Sequence, residues 1–210
     1  MRPLAIVDYG MGNLRSVQKA LERVGEAAEV TSDAERIATA PAVVLPGVGA
    51  FGACMHNLVS RGLVEPVCAA IAAGRPFLGI CLGMQLLFEE SDEFGPVRGL
   101  GVLPGRVVRF AADPARKVPH MGWNALRVTQ RVPQLAGIES GASVYFVHSY
   151  YPVPADPTLV ATTTPYGVEF ASSVARDNIF ACQFHPEKSQ RVGLRLLENF
   201  VAFVRGRPAA

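Results

Sequence analysis

Apolar and polar positions follow two different rhythms along the chain. Up to about residue 90, short apolar runs alternate with stretches at helical spacing. Leu4–Val7, residues 27–30, residues 42–45 and the run ending at Cys81 read as strands. Leu14, Val17, Leu21 and Val24 recur at helical spacing and stop at Gly25, and residues 53–58 and 63–73 also read as helical. Strand and helix in alternation predict a parallel sheet covered on both faces. Beyond Glu89 the rhythm changes. Breakers at Phe94-Gly95-Pro96 and Gly99-Leu100-Gly101 are followed by strand-like pieces at 105–110, 125–128, 144–148, 159–163, 168–172 and 179–184. The last two flank turn residues 175–178. This half reads as antiparallel or mixed sheet added to the α/β core. Residues 119–124, Pro-His-Met-Gly-Trp-Asn, read as a turn carrying the chain's single tryptophan, for which buried packing is the default. A last helix is expected from Ser189 as its cap, burying Leu194, Leu197, Val201 and Val204, with a frayed tail beyond Arg205.

Composition narrows the class. At 210 residues and 50% hydrophobic content, one substantial core and one domain over residues 1–210 are expected. A formal net charge of +2 without a basic cluster argues against a nucleic-acid partner. No apolar run reaches membrane-spanning length. Cys54, Cys68, Cys81 and Cys182 follow no secretory leader, so free thiols in a reducing cytoplasm are expected rather than disulfides. They are too scattered for a zinc pattern. The turn Gly10-Met11-Gly12 invites a dinucleotide reading, but Arg15 stands where the third glycine belongs and no acidic residue ends a clear second strand.

Candidate chemistry begins at Gly79-Ile80-Cys81-Leu82-Gly83-Met84-Gln85. Here an apolar strand gives way directly to a helical run, and glycines flank the cysteine at i−2 and i+2, where side chains would crowd a sharp corner. A nucleophile elbow has this pattern, here with Cys in place of Ser. A thiol at a helix N-terminus is favoured as thiolate. A buried cysteine at a strand end is the alternative. Pro46-Gly47-Val48-Gly49 ends the preceding strand and could turn backbone N–H groups outward as an oxyanion hole does, or be an ordinary loop before a helix. Downstream, His185-Pro186-Glu187 holds an imidazole and a carboxylate in fixed relation through the proline. Cys81, His185 and Glu187 would then divide the work as nucleophile, base and orienter; a structural His-Pro turn remains the other reading.

The elbow together with Phe184-His185-Pro186-Glu187 resembles the class I (triad) glutamine amidotransferases. Asp8-Tyr9-Gly10-Met11-Gly12-Asn13-Leu14, Pro46-Gly47-Val48-Gly49, Pro119-His120-Met121-Gly122-Trp123-Asn124 and Glu187-Lys188-Ser189 narrow the resemblance to the glutaminase subunits of imidazole glycerol phosphate synthase, over essentially the whole chain. The resemblance implies a flavodoxin-like three-layer α/β fold with a mixed central sheet and a small additional sheet. It implies Cys81, His185 and Glu187 as the triad, with N–H groups of Val48, Gly49 and Leu82 as the oxyanion hole. Gln85, Glu93, Ser149 and Tyr150 would bind L-glutamine. Asn13, Met121, Trp123, Tyr145, His148 and Lys188 would meet a (β/α)₈ cyclase subunit in a heterodimer. No metal, cofactor, nucleic acid or membrane is implied. Rival readings are an ammonia-supplying subunit with a different partner, a free-standing cysteine hydrolase, and a non-enzymatic binding module. The intact triad speaks against the module.

Overall fold

The computed structural model describes residues 2–114 and 116–206. Its first half alternates strand and helix, with Ala34–Thr39 the one helix not read from the spacing: β1 (Leu4–Val7), α1 (Leu14–Arg23), β2 (Ala28–Thr31), α2 (Ala34–Thr39), β3 (Val43–Gly47), α3 (Phe51–Ser60), α4 (Val64–Ala72), β4 (Phe77–Cys81) and α5 (Leu82–Gln85). The second half holds β5 (Phe88–Ser91), β6 (Val97–Arg98), β7 (Leu103–Arg109), β8 (His120–Ala125), β9 (Arg127–Val128), β10 (Ser143–His148), β11 (Tyr150–Pro154), β12 (Val160–Pro165), β13 (Glu169–Arg176) and β14 (Ile179–Cys182), and then α6 (Gln190–Val204).

An eight-stranded sheet in the order β2-β1-β3-β4-β14-β13-β12-β9 forms the centre. Strands β2 through β14 are parallel, and β13, β12 and β9 continue antiparallel. Every residue of β1, β3, β4 and β14 is buried, as parallel strands covered on both faces require. Helix α1 packs beside α6, and α2 beside α4. Two smaller sheets, β11-β7-β5-β6 and the pair β10-β8, take the place of the one additional sheet expected. Among the described residues no helix is long and apolar enough to cross a membrane.

Four expectations about the elements change, and a fifth fails with them: Trp123 is not buried but about half exposed. Residues 120–125 are strand β8 rather than a turn, because they pair residue for residue with β10. The helix after Cys81 is a single turn, and the chain re-enters sheet at Phe88. Ser189 precedes α6 but does not cap it. Its hydroxyl donates to the His185 carbonyl at 2.7 Å and accepts the Tyr145 N–H at 2.9 Å. Leu194 and Val204 are half-buried, and α6 instead buries Leu196, Leu197, Phe200 and Val201, with Gly193 against the Pro186 carbonyl. Most of the tail expected to fray, residues 207–210, lies outside the described residues.

Candidate active site

The sheet places its chemistry at the carboxyl ends of β3, β4 and β14. Cys81 ends β4 with φ 56° and ψ −111°. A left-handed φ at a residue with a side chain is strained, and tight surroundings must hold it there. Gly79 and Gly83 supply that tightness. A Cβ on Gly83 would lie 1.7 Å from the Leu45 carbonyl oxygen, and one on Gly79 would lie 2.7 Å from that of Gly83. Side chains at either position would force the corner open.

One cavity of about 250 Å³ is lined by Cys81 and His185, by Val48, Gly49 and Leu82, and by Gln85, Glu93, Ser149 and Tyr150. Three groups assigned different roles from sequence thus share one space. Glu187 stands behind it. Its carboxylate accepts the His185 Nδ1–H at 2.8 Å, and both side chains are almost fully buried. That bond leaves Nε2 for chemistry, and among the described residues this atom is buried without a hydrogen-bond partner. Burial acts to lower the imidazole's pKa. Interaction with the Cys81 sulfur and the Glu187 carboxylate outweighs it and pushes the pKa up to about 10. An imidazole coupled in this way holds its proton beside the Cys81 sulfur.

The other thiols are unsuited to attack. Burial pushes Cys54 up to about 11 and also raises Cys68 and Cys182. Cys54 holds the glycine loop instead: its Sγ lies 3.6 Å from the Val48 carbonyl oxygen, while the buried Tyr9 hydroxyl donates to that of Pro46 at 2.8 Å. With the Val48 carbonyl turned toward Cys54, a trans peptide turns the Gly49 N–H away from Cys54. Glu93 is tied at one oxygen by the Phe51 N–H, 2.6 Å away at the start of α3.

The residues placed at a partner surface separate by strand parity. Along β8 and β10 side chains alternate between faces. Met121 and Trp123 point outward, 63% and 49% exposed. Tyr145 is the register partner of Trp123, with ring centroids 6.1 Å apart, and the Lys188 ammonium lies 5.9 Å from the Tyr145 ring. Asn13 opens α1, which packs against the Pro186–Lys188 turn. His148 differs. Three residues beyond Tyr145, it falls on the opposite face, and it is buried there beside His120. Its imidazole is therefore internal rather than on the outward face with Trp123.

Two polar arrangements escaped the sequence reading. His120 and His148 form a buried pair, Nδ1 to Nε2 at 3.0 Å, among Phe110, Phe146 and Phe170. His148 Nδ1 faces the Tyr150 carbonyl at 2.9 Å and must donate to it, so His148 Nε2 accepts from His120. Burial lowers both histidines, to about 4 for His120 and about 3 for His148. Gln183 is the second omission. It is fully buried, with its amide nitrogen 3.6 Å from the Cys81 sulfur. Its position as a polar residue inside the apolar run 179–184 was the available signal.

Comparison with known proteins agrees with this geometry. Residues 5–203 match the model of the family described as glutamine amidotransferase class-I. Over 202 residues the chain is 57% identical to the imidazole glycerol phosphate synthase subunit HisH of Syntrophotalea carbinolica, spanning 94% of this chain and 98% of that one. With the protein of the same name from Geobacter sulfurreducens it shares 56% identity over 205 residues, covering 95% and 98%. Among solved structures, PurLQS from Thermotoga maritima superposes with a TM-score of 0.74 at 20% identity, covering 97% of this chain and 99% of that one. A glutamine amidotransferase from the same organism gives 0.66 at 14%, covering 96% and 97%. These two likenesses concern the fold.

Proposed function

The chain belongs to the glutamine amidotransferase class-I family, and we propose that it is the glutaminase subunit of an imidazole glycerol phosphate synthase in histidine biosynthesis. The observation that carries the reading is the shared cavity: nucleophile, base, glycine loop and polar binding groups line one space sized for a small molecule. High identity to relatives named for that synthase, over nearly their full length, supports the assignment.

The chemistry follows from the atoms. The Cys81 sulfur attacks the side-chain amide carbon of L-glutamine, and N–H groups of Val48 or Gly49 and of Leu82 receive the developing oxyanion. The imidazolium of His185 donates its Nε2 proton to the departing nitrogen, which leaves as ammonia with a γ-glutamyl thioester remaining on Cys81. Neutral again, Nε2 takes a proton from water as the oxygen attacks the thioester. L-Glutamate leaves, and the sulfur and imidazolium return to their starting forms. Glu187 keeps Nδ1–H on its own oxygen throughout and supports the positive charge.

In this reading the ammonia passes to a (β/α)₈ cyclase subunit docked on the face that carries Met121, Trp123, Tyr145 and Lys188. There it completes imidazole glycerol phosphate and releases aminoimidazole carboxamide ribotide. Transfer within a heterodimer avoids protonation of free ammonia at neutral pH. Residues 1–210 act as one domain, in the cytoplasm, where the free thiols of Cys54, Cys68, Cys81 and Cys182 are preserved. The test is glutamate release from glutamine by the purified chain mixed with such a cyclase. Absence of release, with Cys81 intact and the complex formed, rejects the reading.

A further inference from the structure

We propose that Gln183 is a positioning residue that orients both the Cys81 nucleophile and the Gln85 amide. The inference rests on the glutaminase reading for its consequence, but its geometry stands apart from it. Gln183 lies one residue past β14, next to β4, and is fully buried. Its backbone N–H donates to the Ser172 carbonyl at 2.9 Å, which fixes where the side chain starts. Its Oε1 accepts a hydrogen bond from Gln85 Nε2 at 2.9 Å, and its Nε2 lies 3.6 Å from the Cys81 sulfur. These two contacts set the amide one way round: oxygen to Gln85, nitrogen to sulfur.

Gln85 is bound on both of its N–H groups, since the second donates to the Tyr150 carbonyl at 2.9 Å. That same carbonyl accepts from His148, which is held in turn by His120. With both donors spent, Gln85 has only its carbonyl oxygen left to offer the cavity it lines. An acceptor in that place suits a substrate amide, which has N–H to give, and disfavours a carboxylate, which has none. Gln183 thereby serves two ends. Its N–H stabilises sulfur as thiolate, a charge-assisted hydrogen bond, and its oxygen holds the acceptor that distinguishes glutamine from glutamate.

The test uses the full-length chain and reads Cys81 directly. Iodoacetamide alkylation is followed against pH, with the Cys81 peptide quantified by mass spectrometry, for wild type, Gln183→Glu and Gln183→Leu. Gln183→Glu keeps the size and the acceptor for Gln85 but replaces the donor beside sulfur with a carboxylate. Expected is an alkylation rate at neutral pH about tenfold or more below wild type, with the midpoint of the profile moved to higher pH. Gln183→Leu loses both contacts. In the cyclase complex it should raise KM for glutamine as well as lower kcat, whereas Gln183→Glu should act mainly on kcat. A purely structural role would leave the alkylation midpoint of the folded variants where wild type has it. An unchanged profile for Gln183→Glu overturns the proposal even if turnover is intact. A shifted profile in a chain that never releases glutamate rejects the glutaminase reading and leaves the positioning role standing.

Discussion

Gly47 stands directly opposite Cys81 in the β3–β4 ladder, so the glycine loop leaves its strand at the level where Cys81 leaves its own. The approach is close. A Cβ on Gly47 would sit 2.5 Å from the Leu82 Cβ and 2.7 Å from the Tyr9 hydroxyl oxygen. Gly47→Ala is therefore expected to lower stability by about 2 kcal/mol, in the range of overpacked cores, and to slow alkylation of Cys81. Urea denaturation with a parallel labelling assay checks both. Wild-type values for each would mean that the corner yields more easily than its contacts suggest.

Loss of the proposed triad members should separate their roles. Cys81→Ala should abolish glutamate release while the partner still works with external ammonia. His185→Ala should cost roughly 10²–10⁴ in turnover. Glu187→Gln keeps a group able to hold the ring poorly and should cost less than His185→Ala. With His185 pushed up to about 10 by Cys81 and Glu187 against its burial, the leaving-group proton stays available through neutral pH. The alkaline fall in kcat should accordingly lie toward pH 10. A fall centred near the ordinary imidazole value would contradict the coupling.

Much of the candidate site was legible because it sits on local chemistry. Gly79, Cys81 and Gly83 mark a sharp corner by spacing alone, and His185-Pro186-Glu187 is a contiguous motif; neither needs tertiary knowledge. Strands β1, β3 and β4 were equally plain, since buried parallel strands are unbroken apolar runs. What failed depends on pairing across the chain. Residues 120–125 contain Gly122 and follow Pro119, turn signals that only the ladder to β10 overrides. His148 was grouped with Tyr145 because face assignment requires knowing that both lie on one strand. Ser189 has the composition of a cap, but a backbone N–H from β10 claims its hydroxyl. Gln183 and His120 act through partners far away in sequence, so a local window could at most mark Gln183 as a polar residue in an apolar run and could not show what either touches.

The buried histidine pair predicts acid sensitivity of the fold. Burial holds His120 at about 4 and His148 at about 3, both below the ordinary 6.5. Below pH 6.5 the unfolded chain then binds more protons than the folded one. The pair costs no stability above that value, and its penalty grows as pH falls from 6.5 toward about 4, by at most about 1.4 kcal/mol per pH unit for each group. His120→Gln removes one of the two and should flatten the decline between pH 6.5 and 4. Unfolding free energies measured at several pH values decide this. Equal slopes for variant and wild type would show that the pair does not govern it.

The outward face of the β8–β10 ribbon makes the most demanding prediction. Trp123 is half exposed and Met121 more so, on a strand whose other face is occupied by the buried histidine pair. Large apolar side chains in such a place favour a partner over water. The ribbon is also bonded to the catalytic segment: the Tyr145 carbonyl accepts the His185 N–H at 3.0 Å, and the Tyr145 N–H donates to Ser189, whose hydroxyl donates to the His185 carbonyl. A partner seated on Trp123 and Tyr145 would thus bear on the strand that is hydrogen-bonded to His185. The glycine loop at Gly47-Val48-Gly49, which lines the same cavity, is held by Tyr9 and Cys54, and in the proposed complex the same docking event sets it. Glutamate release should therefore be negligible for the chain alone, appear with the (β/α)₈ cyclase, and rise further when the cyclase holds its ribotide ligand. Trp123→Ala should weaken the complex by about 2 kcal/mol, roughly 30-fold in Kd, and leave the stability of the isolated chain within about 0.5 kcal/mol of wild type. Titration calorimetry and glutamate assays on the same preparations test both halves. Full activity of the isolated chain, indifferent to the partner and to Trp123, would instead make this a self-sufficient hydrolase.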